Sequence, residues 1–373
     1  MHPWLLATAI ALAGPPAPPG SLNDAAIAAY ADGAEASFRA AADAAKKLRE
    51  SVRGFCAAPS DSTLAAARSA WVSARAVYGQ TEAYRFGEGP IDARRGGVET
   101  FVNAWPVDEN YIEPSDPGAA AGIIRDRSKY PLLARAAIRE HNQRGGETNV
   151  CTGWHAIEFM LWGRDGDERG PGNRPASDFA DGTADADRRR EYLLEITELL
   201  CEDLERVARS WKPGAPHRTA FGGDGQRALR AMLVGPALLA GFEMAGERLA
   251  VAYETRDQEE EHSCFSDTTD ADFKANIRGI ARVLRAEGGK PGVIDVVRAA
   301  SPERADALTK ALDAALVAVD AIPAPFDRAI RAPEGSEERT RLRTAMESLE
   351  RLGEEITAAA AALGVTLPTE PQG

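Results

Sequence analysis

Aromatic residues are scarce in this chain of 373 residues, since Phe, Trp and Tyr together make up only 6% of it. Basic residues are in the minority as well: 44 Lys and Arg oppose 57 Asp and Glu, which gives a net charge of −13. Proteins that bind nucleic acid usually carry a basic patch, so this balance argues against nucleic acid as a partner. An acidic protein instead attracts cations.

Several motifs of known chemistry are also missing. The four cysteines, Cys56, Cys151, Cys201 and Cys264, contain no CxxC pair, which argues against a zinc ribbon or a thioredoxin-type site. They could form disulfides in an exported protein or remain buried free thiols, and the sequence does not decide between these states. No GxSxG nucleophile elbow occurs. The glycines at 222–225 follow no predicted strand, so we do not expect a phosphate-binding loop there.

Beyond the N-terminus, no stretch approaches the roughly 18 consecutive apolar residues that a membrane-spanning helix needs, so we expect no span. The apolar run from Trp4 to Ala13 is too short to cross a bilayer, and a Gly- and Pro-rich stretch follows it at 14–20. Such a run with small residues at its end is typical of a secretory signal. We therefore predict a signal peptide at 1–20 and export of the chain.

The remaining sequence favours helices, because alanine is abundant and strand-type alternation is rare. Helical spacing predicts helices at 23–53, 64–86, 119–142, around 155, and at 185–211, 223–256, 270–287, 302–321 and 335–363. We predict an all-α fold of two four-helix-bundle-like domains, at 22–163 and 184–367. Gly and Pro mark a linker loop at 164–183. We interpret the two halves as a distant duplication, although no residue repeat is visible.

The most informative segment is 153–163, with the sequence GWHAIEFMLWG. His155 and Glu158 are three residues apart and therefore share one face of a helix, while their neighbours are almost all apolar, so the helix should be buried on most sides. Buried charges are usually paired or bound to a metal. One interpretation is a buried His–Glu pair. The other is a metal site, which would need further ligands because neither HExxH nor HxxEH is present.

Acidic residues upstream could supply such ligands: Glu82, Asp92, Glu99 and Asp108. Arg85 lies on the same predicted helix face as Glu82. Several of these acids fall in the irregular stretch 87–118, and a long loop of this kind is often functional. Carboxylates together with one imidazole suit iron, manganese or zinc better than a thiolate site would. Each acid alone could instead be solvated or paired with a nearby arginine.

A third cluster lies at 257–267, with the sequence DQEEEHSCFSD. It could be an acidic, solvated helix end followed by a turn. Alternatively, His262 faces the first bundle across the domain interface, which is a preferred location for pockets.

Taken together, these blocks resemble the imelysin-like family. The segment 153–163 is similar to its GxHxxE signature, and the other blocks are similar to its upstream block and to its iron-regulated protein A branch: 80–92, 102–106, 172–179 and 260–267. They occur in the same order and span most of residues 25–365. The resemblance implies an all-helical fold with a site near the domain interface. It also implies an exported protein of the periplasm or cell envelope, related to Efe-type iron-uptake proteins.

The resemblance maps the family's His and Glu onto His155 and Glu158, and its upstream acids onto Glu82 and Asp92, which we expect to be metal ligands. Further site candidates are Arg85, Asp108, Glu99 and His262. The expected cofactor is a divalent or ferric metal ion, with iron favoured over zinc, and an envelope iron-transport component is an expected partner. We expect a metal-binding protein of iron acquisition or homeostasis. The alternative is a metallopeptidase that uses Glu158 in catalysis.

Overall fold

The computed structural model describes residues 21–114, 121–166 and 170–371. The predicted signal peptide at 1–20 lies outside the described residues. Within them, helices and connecting loops form the whole fold and no strand occurs, which confirms the all-α prediction. The long helices are α1 (Leu22–Ala57), α2 (Asp61–Gly79), α7 (Gly153–Trp162), α8 (Ala186–Ser210), α10 (Gly225–Leu238), α12 (Thr269–Arg285), α14 (Pro302–Asp320) and α16 (Glu337–Ala362).

Shorter helices connect these long ones. They are α3 (Glu99–Val102), α4 (Glu109–Ile112), α5 (Gly122–Arg125), α6 (Arg135–His141), α9 (Pro216–Gly223), α11 (Val251–Thr255), α13 (Val293–Ala300) and α15 (Phe326–Arg331). Single 3₁₀ turns lie at Glu82–Tyr84, Ala176–Phe179, Gln258–Glu260 and Cys264–Ser266, and a π-helix at Leu239–Ala250 joins α10 to α11. The stretch 87–118, expected to be irregular, therefore contains α3 and α4.

Serine side chains begin several of the long helices. Ser21 accepts a hydrogen bond from the backbone N–H of Asp24 at 3.2 Å, and Ser60 accepts one from Thr63 at 3.3 Å. These bonds satisfy backbone donors that the first turn leaves unpaired. The first helix, predicted from residue 23, therefore begins at Leu22 with Ser21 as its cap.

Two predicted helices have different bounds in the structure. The helix predicted at 64–86 ends at Gly79, so Glu82 lies on a 3₁₀ turn instead of an α-helix. The single helix predicted at 119–142 is wrong, because α5 and α6 are separate. Pro131 lies between them, and proline disfavours helical backbone both at its own position and at the preceding residue.

Two groups of helices form the core. In the first group, α1 packs along both α2 and α8, and α7 contacts α2 and α8. In the second, α16 packs against α14, α10 and the π-helix, while α12 contacts α2 of the first group and α14 of the second. The predicted boundary at 164–183 assigns α8 to the second bundle, although α8 packs mainly with the first. The division into two domains, and their duplication, stay predictions.

One described helical stretch, Gly225–Thr255, is long and apolar enough to cross a membrane by length and composition alone. Charged residues such as Arg230 and Glu243 interrupt it, so it holds no run of 18 consecutive apolar residues, and the expectation of no span stays a prediction. Its most apolar window is 78% buried against the rest of the chain. A core helix of a folded domain is apolar for the same reason. All four cysteines are also buried, and they are free thiols in the structure.

The helix α7 lies at the centre of the first group, and all ten of its residues are buried. It begins at Gly153, whose φ of +83° is accessible to glycine at little cost. A Cβ atom at this position would lie 2.3 Å from the carbonyl oxygen of Val102. The first glycine of the GWHAIE segment is therefore required by the close approach of α3 to the start of α7.

We expect Gly153→Ala to lower the free energy of unfolding by about 2–3 kcal/mol, because both the positive φ and the contact with Val102 disfavour a side chain. Gly54→Ala is the matched control. Gly54 lies within α1, and a Cβ atom there would meet no atom within 4 Å, so this change should stabilise the protein by up to about 1 kcal/mol. Urea unfolding measures both effects, and equal effects of the two variants would contradict the explanation.

Candidate functional site

His155 and Glu158 form a buried pair on α7, as their spacing predicts. His155 Nδ1 lies 3.1 Å from Glu158 Oε2, and the two residues are 1% and 0% exposed. The other carboxylate oxygen, Oε1, accepts hydrogen bonds from the backbone N–H of Ser266 at 3.0 Å and from its hydroxyl at 2.6 Å. The second ring nitrogen, His155 Nε2, is buried and has no hydrogen-bond partner among the described residues.

A second imidazole, that of His262, lies against the first. The two ring centroids are 4.8 Å apart in an edge-to-face arrangement. His262 Nδ1 lies 2.9 Å from Asp272 Oδ2 on α12, and the hydroxyl of Ser263 donates to the same oxygen at 2.7 Å. Arg75 Nη2 also lies 3.1 Å from this Nδ1. In the tautomer that carries its proton on Nδ1, His262 donates to Asp272 and Nε2 keeps its lone pair. Each imidazole is thus held through Nδ1 by an acidic side chain.

Arg75 on α2 connects this pair to the first group of helices. Its guanidinium donates to both oxygens of Asp272, at 3.0 and 3.1 Å, and to the side-chain oxygen of Asn103. Arg75 and Asp272 are 2% and 3% exposed. The arginine therefore fixes the carboxylate that orients His262.

The surroundings keep both imidazoles neutral. Burial, followed by the charge of nearby arginines, lowers the pKa of His155 and of His262 well below the usual 6.5. Burial also raises the pKa of Glu158 to about 8, so this carboxyl holds a proton at neutral pH. In its ionised form Glu158 accepts the Nδ1 proton of His155 and leaves a lone pair on Nε2. Neutral imidazole is the form that binds a metal.

Glu82 is fully buried and lies within electrostatic range of Arg75 and His262. Its oxygen Oε2 accepts from Arg248 at 2.7 Å and from Arg85 at 3.3 Å, and Oε1 accepts from Asn276 at 3.2 Å. Burial alone would raise the pKa of Glu82, but the charges of Arg248 and Arg75 outweigh it and lower the pKa to about 2. Both oxygens are therefore occupied by protein donors, and Glu82 balances arginine charge.

The π-helix explains how Arg248 reaches this position. Arg248 also binds Glu243 at 3.0 Å, five residues earlier. In an α-helix, five residues correspond to about 140° around the axis, so these side chains would diverge. A π-helix, with i→i+5 hydrogen bonds, turns less per residue and therefore brings side chains five residues apart closer together, and such segments often occur at functional sites. This change of period is the reason that helical spacing did not identify Arg248 as a site residue.

A cleft of about 350 Å³ opens onto the site. Its walls include Arg85, Glu99, Trp105, Glu243, Glu247, Arg248 and His262. Arg85 binds Glu99 at 3.1 Å within this cleft. Three of the predicted further candidates, Arg85, Glu99 and His262, therefore line one cavity.

The other predicted residues lie elsewhere. Asp108 caps α4 by accepting the N–H of Asn110 at 3.0 Å. Asp92 lines a different cleft, which shares Arg85 and Glu99 with the first. In residues 21–114, 121–166 and 170–371, no three or more His, Cys, Asp or Glu side chains are grouped closely enough to hold a metal. The four predicted ligands are thus not assembled around one point.

Sequence reasoning missed Arg75, Ser266 and Asp272 as site residues. Arg75 lies three and seven residues before Tyr78 and Glu82, so the helical spacing noted for that face could have included it. Ser266 was included only as part of the cluster 257–267, and Asp272 was not singled out. Their partners Glu158 and Arg75 are 108 and 197 residues away along the chain, so no local pattern reveals these contacts.

Replacing Arg248 tests how much the stability of the fold depends on its ion pair with Glu82. We expect Arg248→Met to lower the free energy of unfolding by about 3–5 kcal/mol, because it leaves a buried carboxylate with too little opposing charge. Arg227→Met, at a position 63% exposed on the same helical stretch, should have little effect. Urea unfolding at neutral pH compares the two, and a small loss for Arg248→Met would contradict this role.

The pH dependence gives a second measure of the same interaction. A carboxyl with a lowered pKa stabilises the fold above its ordinary pKa of 4.5, and this stabilisation disappears as the pH falls towards 2. The difference in stability between wild type and Glu82→Gln should therefore be constant above pH 4.5 and shrink below it.

Fold and site together define an all-helical protein in which a buried His–Glu pair on one helix meets a loop histidine from the other half of the chain. The family model for imelysin matches residues 34–354, and the chain belongs to this family.

Individual relatives agree with this assignment. Iron-regulated protein A of Synechococcus elongatus is 24% identical over 314 residues, which covers 80% of this chain and 75% of that protein. A crystal structure from Parabacteroides distasonis, described as an iron-regulated protein A precursor, shares the fold at a TM-score of 0.71 and 18% identity over 93% of this chain and 98% of that one. An imelysin-like protein from Psychrobacter arcticum has a TM-score of 0.65 and 14% identity, over 92% of this chain and 96% of that chain.

Proposed function

We propose that this chain binds a metal ion, iron foremost, where His155 meets His262. In this proposal it serves iron acquisition or homeostasis as an exported protein of the periplasm or cell envelope, together with an envelope iron-transport component. The names of two relatives, an iron-regulated protein A and a precursor of such a protein, support the link to iron and to export. The observation that carries the binding proposal is the pair of buried, neutral imidazoles.

The orientation of the two rings supports their role as ligands. Metal-binding histidines usually donate their other ring N–H to a carboxylate, which fixes the tautomer and the ring plane. Glu158 and Asp272 are placed to do this for His155 and His262, at 3.1 and 2.9 Å. A buried ring nitrogen without a partner costs about 1–3 kcal/mol, and a bound cation would relieve this cost at His155 Nε2.

The remaining acids have different roles in this proposal. Glu158 orients His155, since its two oxygens already engage His155 and Ser266. Glu82 neutralises Arg248 and Arg85. Imidazole nitrogen suits iron and zinc alike, and two protein nitrogens leave positions for water or for an anion that accompanies the ion. The predicted contribution of Glu82 and Asp92 as direct ligands is therefore replaced by a pair of histidines.

Metal titration tests the proposal. We expect Fe²⁺, titrated calorimetrically without oxygen, to bind wild type, and His155→Ala and His262→Gln to abolish binding. Glu158→Gln should weaken Fe²⁺ binding about 10–100-fold, which is the usual effect of losing the residue that orients a metal-binding histidine through a hydrogen bond. His141→Gln is the matched control, because His141 packs on Tyr130, away from the site. Equal affinity in all five proteins would rule out these ligands, and thermal unfolding checks that each variant is folded.

A second candidate function is a metallopeptidase in which Glu158 acts as general base. A carboxyl pKa of about 8 lies near the pH at which a proton-transfer residue works well. The hydrogen bonds that already occupy both Glu158 oxygens favour the binding function over this one.

Peptide cleavage separates the two functions. For the binding protein we expect no turnover of a casein-derived peptide mixture, with or without added Fe²⁺ or Zn²⁺. Turnover that a chelator abolishes, and that Glu158→Gln also removes while His141→Gln does not, would instead establish the peptidase.

A further inference from the structure

A second cleft, with a volume of about 430 Å³, lies on the other side of Arg85 from the His155 site. Clefts that bind small molecules typically measure about 300–1,000 Å³. Arg85, Glu99 and Thr100 line both clefts, so the two are adjacent but distinct. The metal-binding proposal does not use this second cleft.

The second cleft contains unmatched polar groups of both signs. Arg230 of α10 lines it and makes no hydrogen bond or ion pair to another described residue. Arg85 Nε is buried without a hydrogen-bond partner, and so is Asp92 Oδ1. The charge of Arg85 is already balanced by Glu82, Glu99 and Glu243, so Arg230 is the cation of this cleft without a partner among the described residues. A buried polar atom without a hydrogen bond, such as Asp92 Oδ1, is costly. Within the described part of the chain, Arg230 therefore lacks an anionic partner, and Asp92 Oδ1 lacks a cationic or hydrogen-bond-donating one.

Asp92 is fixed at the edge of this cleft by its own loop. The backbone N–H groups of Phe86 and Gly89 donate to its carboxylate, which leaves Oδ1 as the unmatched oxygen. Burial raises the pKa of Asp92 to about 6, although the charge of Arg85 opposes this rise. The carboxylate is therefore mostly ionised at neutral pH, in a position that one cationic group could satisfy.

Apolar side chains provide the rest of the lining. They come from Phe86, Ile91, Leu238, Pro368 and Pro371. Charged side chains contribute about as much of the lining as these apolar ones. The apolar part would accommodate an aliphatic group.

We propose that this cleft binds a small aliphatic zwitterion of the α-amino-acid type, with its ammonium group at Asp92 and its carboxylate at Arg230. Of the three arginines that line the cleft, Arg85 pairs with Glu99 at 3.1 Å and Arg94 approaches Glu88 at 3.8 Å. A simple cation would therefore leave Arg230 without a partner. A simple anion leaves Asp92 without a partner. Only a ligand that carries both charges satisfies both sets of groups.

Three matched probes test the need for both charges. L-Leucine carries the two groups, 4-methylpentanoate lacks the ammonium group, and 3-methylbutylammonium lacks the carboxylate. We expect calorimetry to detect leucine binding at millimolar concentration or below, and each analogue to bind at least about 10-fold more weakly, since charge-assisted hydrogen bonds are the strong ones. Failure of glycine, L-alanine and L-leucine to bind at millimolar concentration would overturn the proposal.

Variants locate the binding site. Asp92→Asn and Arg230→Gln should each weaken leucine binding by about 10-fold or more. Arg227→Gln is the control, because Arg227 lies on the same helix and is 63% exposed. Arg227 does not line the cleft itself, although it approaches the lining residue Glu88 at 3.8 Å. If Asp92→Asn disturbs its loop, Arg230→Gln still decides the outcome. Leucine binding that is unchanged in Arg230→Gln, or that is lost equally in Arg227→Gln, would overturn the assignment to this cleft.

Discussion

The buried ion pair between Arg75 and Asp272 is the contact on which the site depends. Its partners belong to α2 and α12, which lie 197 residues apart along the chain and come from the two groups of helices. Two charges in a dry interior are costly unless further hydrogen bonds satisfy them. Here Asn103 accepts from Arg75, while Ser263 and His262 donate to Asp272. The docking of α12 on α2 and the orientation of His262 are therefore set by the same group of atoms.

The loop that carries His262 links this ion pair to α7. His262 and Ser263 are bound to Asp272, and three residues later Ser266 donates twice to Glu158. The segment 262–266 thus connects Asp272, which is hydrogen-bonded to His262, to Glu158, which is hydrogen-bonded to His155. Because both ends are buried and hydrogen-bonded, the relative position of His155 and His262 follows from packing, which is how a preorganised site is held in place.

Local patterns in the sequence predicted the parts of this arrangement that depend on local physics. The apolar context of 153–163 predicted a buried helix, and the spacing of His155 and Glu158 predicted their contact, because both follow from α-helical geometry. The break at Pro131 has a local cause as well, but helical spacing on both sides obscured it.

The remainder of the site depends on long-range packing and on a local departure from α-helical geometry. The packing of α8 with the first group is set by its contacts with α1 and α7, which no linker composition reveals. Arg248 reaches Glu82 through a π-helix, so a search at the α-helical period misses it. Asp92 and Glu82 were grouped by proximity along the chain, whereas the structure separates them into different surroundings. Sequence therefore identified several residues of the site, but it could not show which of them meet.

The two buried glutamates Glu82 and Glu158 have opposite properties because their neighbours differ. Arginines surround Glu82 and lower its pKa to about 2, whereas burial beside His155 raises the pKa of Glu158 to about 8. Glu82 is therefore a permanent counter-ion, and Glu158 is a carboxyl whose charge can change. A cation that arrives beside His155 favours the ionised form of Glu158, since opposite charge lowers a carboxyl pKa. If the site binds an ion as proposed, binding would therefore release a proton, and the net charge of the buried site would change by less than the charge of the ion.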